Sequence, residues 1–169
     1  MGQYRDEHHA ASRAINCGEG RPAPAKWQSQ HIAGYRESSM SGCDDLGGIE
    51  KLLADASAHA RLHKALTPDQ YQIVILKHSG SESDRIKAVQ HLAETVGTKA
   101  GTLSKTISVG AWALNGYHTP ASHDWDQQGV TDRTLREWRR LIHKELSDKY
   151  SQAMAHLRAV FSDTGLIDA

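Results

Sequence analysis

Trp125-Asp-Gln-Gln-Gly-Val-Thr-Asp-Arg-Thr-Leu-Arg-Glu-Trp-Arg-Arg-Leu-Ile142 is the stretch whose reading decides the fold. Gly129-Val130 supplies a turn, and Thr131 is an N-cap, since its hydroxyl can accept from an orphan backbone N–H of the first helical turn. Asp132 then lies where the positive end of the helix dipole favours a carboxylate. Leu135, Trp138, Ile142, Leu146, Tyr150, Ala153, Leu157 and Phe161 recur at three- and four-residue spacing, which is one face of a long helix. Arg133, Arg136, Arg140 and Lys144 fall largely on the opposite side, with Arg139 at the flank. An apolar stripe backed by arginines near a helix N-terminus is what insertion into a major groove needs. A solvated face on an ordinary helix is the plainer alternative. Because turn, cap and arginine cluster coincide, the stretch is read as the second half of a DNA-binding helix-turn-helix. Its first half is either a short helix from about Ser122 to Gln128 or a loop, and Pro120 prevents anything longer.

Working back toward the N-terminus, helical patterns continue. Thr67-Pro68-Asp69 is a strong start: a threonine cap, proline at the first helical position and an acid in the first turn. Tyr71, Ile73, Val74, Ile75 and Leu76 are too continuously apolar for a surface helix, so a buried central helix is expected, with a strand as the alternative. Before it, Asp44-Asp45 precede Leu46, Ile49, Leu52, Leu53, Ala56, Ala60, Leu62 and Leu66, another helical pattern. After it, Ser83-Asp84 opens a helix carrying Ile86, Val89, Leu92, Ala93 and Val96, stopped by Gly97. Leu103, Ile107, Val109, Trp112 and Leu114 form a further one, closed by Asn115-Gly116. The stretch His91–Ile107 could itself be a helix-turn-helix, but with only Lys99 and Lys105 cationic it reads better as core packing. The expected fold is all-α: a bundle of about five helices ending in a helix-turn-helix with a long C-terminal recognition helix. Residues 44–116 form the helical core and 117–169 the terminal unit.

Residues 1–43 are rich in Gly, Ser, Pro, Arg and Gln, and Arg21-Pro-Ala-Pro24 cannot continue a helix. The region reads as an extended arm with short turns, in which Trp27, Tyr35 and Arg36 are candidate partner contacts. The 169 residues suffice for a proper core, and the formal net charge of zero argues against a chain-wide electrostatic binder. Charge is instead local, with five Arg/Lys against two Asp/Glu between Gly129 and Lys144. Cys17 and Cys43 lack paired-ligand spacing, so a reduced, cytoplasmic chain is the simpler reading. No apolar run reaches membrane-spanning length, and no membrane partner is expected.

Eleven histidines invite a metal or catalytic reading. His8, His9 and His31 fall in the arm. His59 and His63 are four apart, with Asp55 a turn earlier as a conceivable third ligand, but two surface histidines on an amphipathic helix explain the pair more simply. No P-loop, dinucleotide fingerprint or nucleophile elbow is present. The expectation is no enzyme, no metal and no cofactor.

The order of parts resembles the Q-type late-gene antitermination proteins of phages and their prophage-derived relatives. The resemblance is one of pattern and runs from about Ile49 to Phe161. It rests on Leu66-Thr-Pro-Asp-Gln70, Ser108-Val-Gly-Ala-Trp-Ala-Leu114 and Gln128-Gly-Val-Thr-Asp-Arg-Thr-Leu-Arg-Glu-Trp-Arg-Arg140, of which only the last is specific. The cysteine-rich zinc module of some Q proteins is missing, which places the chain with the zinc-free branch. The resemblance implies a factor that binds DNA beside a promoter, engages paused RNA polymerase still holding sigma, and keeps terminator hairpins from forming in the nascent RNA. Its DNA-reading positions would be Thr131, Arg133, Thr134, Arg136, Glu137 and Arg140, with Arg133 and Arg136 nearest base edges and Arg140 and Lys144 placed for phosphates. Two other readings compete: an operator-binding repressor or activator, and the small DNA-recognition subunit of a phage packaging machine.

Overall fold

A computed structural model describes residues 3–17, 48–114 and 130–168. Six helices lie among them: α1 (Glu7–Asn16), α2 (Gly48–Ala65), α3 (Pro68–His78), α4 (Glu82–Thr95), α5 (Thr102–Ala113) and α6 (Asp132–Asp163). The only β feature among the described residues is one isolated bridge, Tyr4 to Ile167. The fold is all-α, as the spacing predicts, and the continuous apolar run Tyr71–Leu76 is helix rather than strand. None of the described helices is long and apolar enough to cross a membrane. The chain divides into two compact units, one of Met1–Lys64 with Leu157–Ala169, the other of Ala65–His156.

In the second unit the start of α3 follows directly from its sequence. Thr67 accepts from the Gln70 backbone N–H, and Gln70 Oε1 accepts in return from the Thr67 N–H, a complete capping box with Pro68 at the first position. Ser81 caps α4 by accepting from the Asp84 backbone N–H, two residues earlier than Ser83-Asp84 suggested. Helix α3 packs on α4, and α4 on α5. The core they build joins Ile73, Leu76, Ala88, Leu92, Val96, Val109 and Trp112 to Ile142 and Leu146 of α6. Each large aliphatic side chain fully withdrawn from water there contributes about 1.5–3 kcal/mol. Polar links between helices add register. Asp69 of α3 accepts from Lys149 of α6 at 3.2 Å and pairs with His91 of α4 at 3.0 Å, and Lys149 also holds Glu145 at 3.0 Å.

The first unit contains what composition hid. Residues 7–16, inside the stretch expected to be an extended arm, form helix α1. Asp6 caps it by accepting from the His9 N–H, and Ala10, Ala11, Ala14 and Ile15 are buried on one side. Helix α2 is present but rotated from expectation. Its inward face is Ala54, Asp55, Ala58 and Leu62, while Leu52 and Leu53 are about two-thirds exposed and Ala56 and Ala60 face solvent. The cause is Asp55, only 4 % exposed, which accepts from Tyr4 Oη at 2.9 Å and from Arg13 Nη2 at 2.6 Å. Pairing a buried carboxylate with two donors offsets its desolvation and sets which side of α2 turns inward. The same contacts occupy the group considered as a third metal ligand beside His59 and His63. No cluster of three potential metal ligands occurs among the described residues.

Helix α6 ends in the first unit with a left-handed turn. Gly165 takes φ +68°, its N–H reaches the Ser162 carbonyl, and the Leu166 N–H reaches Phe161 O at 2.9 Å. This is a Schellman stop, favoured by glycine because a Cβ is strained at positive φ. The chain then runs back to Tyr4, whose N–H donates to Leu166 O at 2.8 Å.

Candidate nucleic-acid interface

Helix α6 begins as its sequence predicts. Thr131 Oγ1 accepts from the Thr134 N–H at 3.4 Å and lies 3.0 Å from Thr134 Oγ1, while the Thr131 carbonyl takes the first helical bond from Leu135. From there inward and outward faces separate. Leu135, Ile142, Leu146, Ala153, Leu157 and Phe161 are buried, so the apolar stripe is the core face. Trp138 departs from it: it is half-buried, not enclosed, and Leu141 beyond it is 43 % exposed. At about 100° per residue, Trp138 lies some 60° round the helix from the midpoint of Leu135, Ile142 and Leu146. Its large ring therefore reaches the edge of the core.

The cationic residues occupy the other side. Arg133, Arg136, Arg140 and Lys144 are exposed, and on a regular helix they share a sector of about 80° centred about 140° from the core stripe. Thr131 and Glu137 are also exposed, and Thr134 is half-buried. Arg136 Nη2 lies 3.4 Å from Asp132 Oδ2, an exposed pair one turn apart that steadies the guanidinium without sequestering it. From Arg133 to Lys144 the face runs about 17 Å along the axis, against a major-groove width of about 12 Å.

Arg139 stands apart from this face, half-buried at the rim of an open cleft of about 490 Å³. Lys77, Trp112, His143, Ser147 and Tyr150 line the cleft with it. Lys77 sits 4.3 Å above the Trp112 ring and donates to the Trp112 and Ala113 carbonyls at 3.1 and 3.4 Å, closing the C-terminal end of α5. Burial pulls its ammonium below the usual lysine value. Trp112 Nε1 donates to Ser147 Oγ at 3.0 Å, and Tyr150 Oη lies 2.9 Å from His78 Nε2. His143 Nε2 lies 3.0 Å from the Ser108 carbonyl, which can only accept, so that nitrogen carries the hydrogen. Burial pushes the His143 imidazole below its usual value; the bond to Ser108 works against this, and the neighbouring Arg139 and Lys77 charges reinforce it.

Spacing alone did not disclose this cleft, since Lys77, Trp112 and His143 are far apart in sequence. In α5, Ser104 and Ser108 are buried while Leu103 and Leu114 are exposed, a phase shifted from the simple apolar count. The second helix-turn-helix candidate, His91–Ile107, is helix α4, a connection and helix α5, with Val96 and Ala100 buried and Lys105 Nζ tied to the Val96 carbonyl at 2.9 Å. Lys99 beside it is exposed. The expected partner contacts Trp27, Tyr35 and Arg36, and the first helix from about Ser122 to Gln128, lie outside the described residues. In comparisons with known proteins, no family model, no curated protein and no solved structure matches the chain.

Proposed function

We propose that this protein is a transcription regulator that binds double-stranded DNA through the N-terminal half of α6, and that it acts as an antitermination factor on promoter-proximal, paused RNA polymerase. The observation that carries DNA binding is the division of a single helical stretch. Leu135, Ile142 and Leu146 fix it in the core, while Arg133, Arg136, Arg140 and Lys144 stand exposed on the far side. Cations on a rigid element engage a duplex without a large ordering cost, because the backbone beneath them is already fixed. Arg133 and Arg136, in the first two turns, are assigned to base edges; Arg140 and Lys144, further along, to phosphates. The polymerase step rests on the resemblance to Q-type antiterminators.

Single-round transcription by RNA polymerase holoenzyme tests both parts, on a template carrying the DNA that flanks the gene, a promoter and a downstream intrinsic terminator. Added protein is expected to increase read-through only when the flanking DNA is present. Altered initiation with unchanged termination would make it an operator-binding regulator. No effect on either, together with a ring-sized mass in solution, would replace both readings with that of a packaging subunit.

A further inference from the structure

The cleft beside the arginine face is rich in donors and cations, and among the described residues no carboxylate lines it. Several cations elsewhere among the described residues meet acids: Arg13 meets Asp55, Lys149 meets Asp69 and Glu145, and Arg136 meets Asp132. Arg139 takes part in no ion pair among the described residues, and its guanidinium offers five N–H donors in a planar fork suited to an oxyanion. Ser147 Oγ accepts the indole N–H of Trp112, which leaves its own hydrogen to give, and Ser151 adds a second hydroxyl one turn on. His143 is anchored through Nε2, so Nδ1 is the ring nitrogen left to gain a proton and donate. Lys77, held over Trp112, adds positive charge to the wall.

We propose that this cleft is a phosphate-binding site, in which Arg139 and His143 hold the oxygens, Ser147 and Ser151 supply neutral donors, and the Trp112–Tyr150 wall takes the apolar side of the ester. The inference deepens the DNA-binding reading and rests on it for one of two phosphate sources. Arg139 and His143 neighbour Arg136 and Arg140 on α6, so a duplex lying on the arginine face can place a backbone phosphodiester here. A free nucleotide brings the same group as a monoester, and a volume near 490 Å³ lies within the range of small-ligand pockets.

Occupancy is linked to protonation of His143. The charges acting on it are Arg139 from its own helix and Lys77 from α3, both positive, and α5 presents the Ser108 carbonyl. Without a ligand, burial and the two cations favour the neutral ring. A phosphate in the cleft adds the missing negative charge and favours the imidazolium. The His143 midpoint therefore rises on binding, and affinity falls as pH rises through the bound-state midpoint.

The test is an NMR titration of the histidine rings in the full chain, with the His143 signal assigned by its loss in His143→Gln. Dimethyl phosphate stands for the backbone diester and adenosine 5′-monophosphate for the free monoester, each against chloride at equal ionic strength. The expected result is a rise of about one pH unit in the His143 midpoint with at least one phosphate probe, equivalent to roughly tenfold tighter binding to the protonated form. Arg139→Gln, and separately the exposed Ser151→Ala, should reduce that rise while leaving the thermal melt in place. No rise with either probe, or an equal rise in both variants, overturns the proposal. A short duplex added last separates the sources: a further rise assigns the cleft to the DNA backbone, and a response to the monoester alone assigns it to a nucleotide. If the protein binds no duplex at all, the DNA-binding reading fails while the probe titration still decides the cleft.

Discussion

Replacing Arg136 with alanine separates recognition from folding, because the structure makes the two costs very different. The Arg136 side chain is 81 % exposed, and the acid it pairs with, Asp132 at 3.4 Å, is itself 58 % exposed. An exposed pair one helical turn apart contributes about 0.2–0.5 kcal/mol, and alanine's higher helix propensity returns part of that. The melting temperature should therefore move by no more than a few degrees. On DNA the same side chain, if bidentate to a guanine, contributes about 1–3 kcal/mol, roughly a 5- to 150-fold loss of affinity. The assay is fluorescence anisotropy at fixed salt, with a duplex from the DNA flanking the gene and a scrambled duplex of equal length. Arg136→Ala should weaken the first far more than the second. Equal weakening on both would move Arg136 to phosphate contact, and undiminished affinity on both would refute the assignment of this face to DNA.

Other perturbations follow from the same geometry. Arg140→Gln with Lys144→Gln should weaken both duplexes alike and lower the slope of log affinity against log salt by about 2, since each phosphate contact contributes about 0.9; an unchanged slope would remove both from the interface. Leu146→Ala should cost about 2–5 kcal/mol in urea unfolding and Trp138→Ala less, because Leu146 is fully buried and Trp138 is not; the reverse ranking would show that Trp138 anchors α6. Burial alone would raise the Asp69 carboxyl, but hydrogen bonds from His91 and Lys149 outweigh it and hold it below the usual carboxylate value. Its contribution is thus present above the unfolded-state value near 4 and lost as pH falls through the lower folded value, so Asp69→Asn should flatten acid unfolding in that window. Arg13→Met leaves the buried Asp55 carboxylate with Tyr4 but without its cation; amide exchange in α1 should accelerate by the equivalent of about 1–3 kcal/mol, and unchanged protection would show that α1 is held by its alanines.

The elements that could be read directly were those whose signals are local. Thr67-Pro68-Asp69-Gln70 contains its whole capping box within four residues, and Thr131 needs only Thr134. The stripe from Leu135 to Phe161 was legible because a 32-residue helix repeats its pattern often enough for one misplaced residue, Trp138, not to matter. What escaped depends on partners distant in sequence. Helix α1 buries three alanines and one isoleucine, a face too small to stand out against the glycines and prolines that follow. The rotation of α2 is set by Asp55, and an acid that turns inward because Tyr4 and Arg13 await it looks like any surface acid in an apolar count. Ser104 and Ser108 mislead in the same way in α5: the Ser108 carbonyl meets His143, thirty-five positions away.

The misreading of α5 and the proposed site have a common physical origin. Where α6 meets α3 and α5, the seam is only partly apolar: Ile142 and Leu146 enter the core, while His143, Ser147 and Lys149 are tied to the Ser108 carbonyl, the Trp112 indole and Asp69. Polar seams specify one register, since sliding or rotating the helix would strand half-buried donors, whereas an apolar seam tolerates repacking. Register matters to the proposed function because a rotation of one residue, about 100°, would carry the Arg133–Lys144 face away from a groove it is proposed to read. The groups that fix α6 are also those bordering the cleft, so whatever binds there acts on the element that presents the arginines. If the occupant is a free nucleotide, a phosphate held by Arg139 and His143 would tighten the α5–α6 seam beneath the proposed DNA face. DNA binding and cleft occupancy should then reinforce each other by the same factor in either order of addition, whereas a cleft filled by the DNA backbone would make free phosphate compete with the duplex.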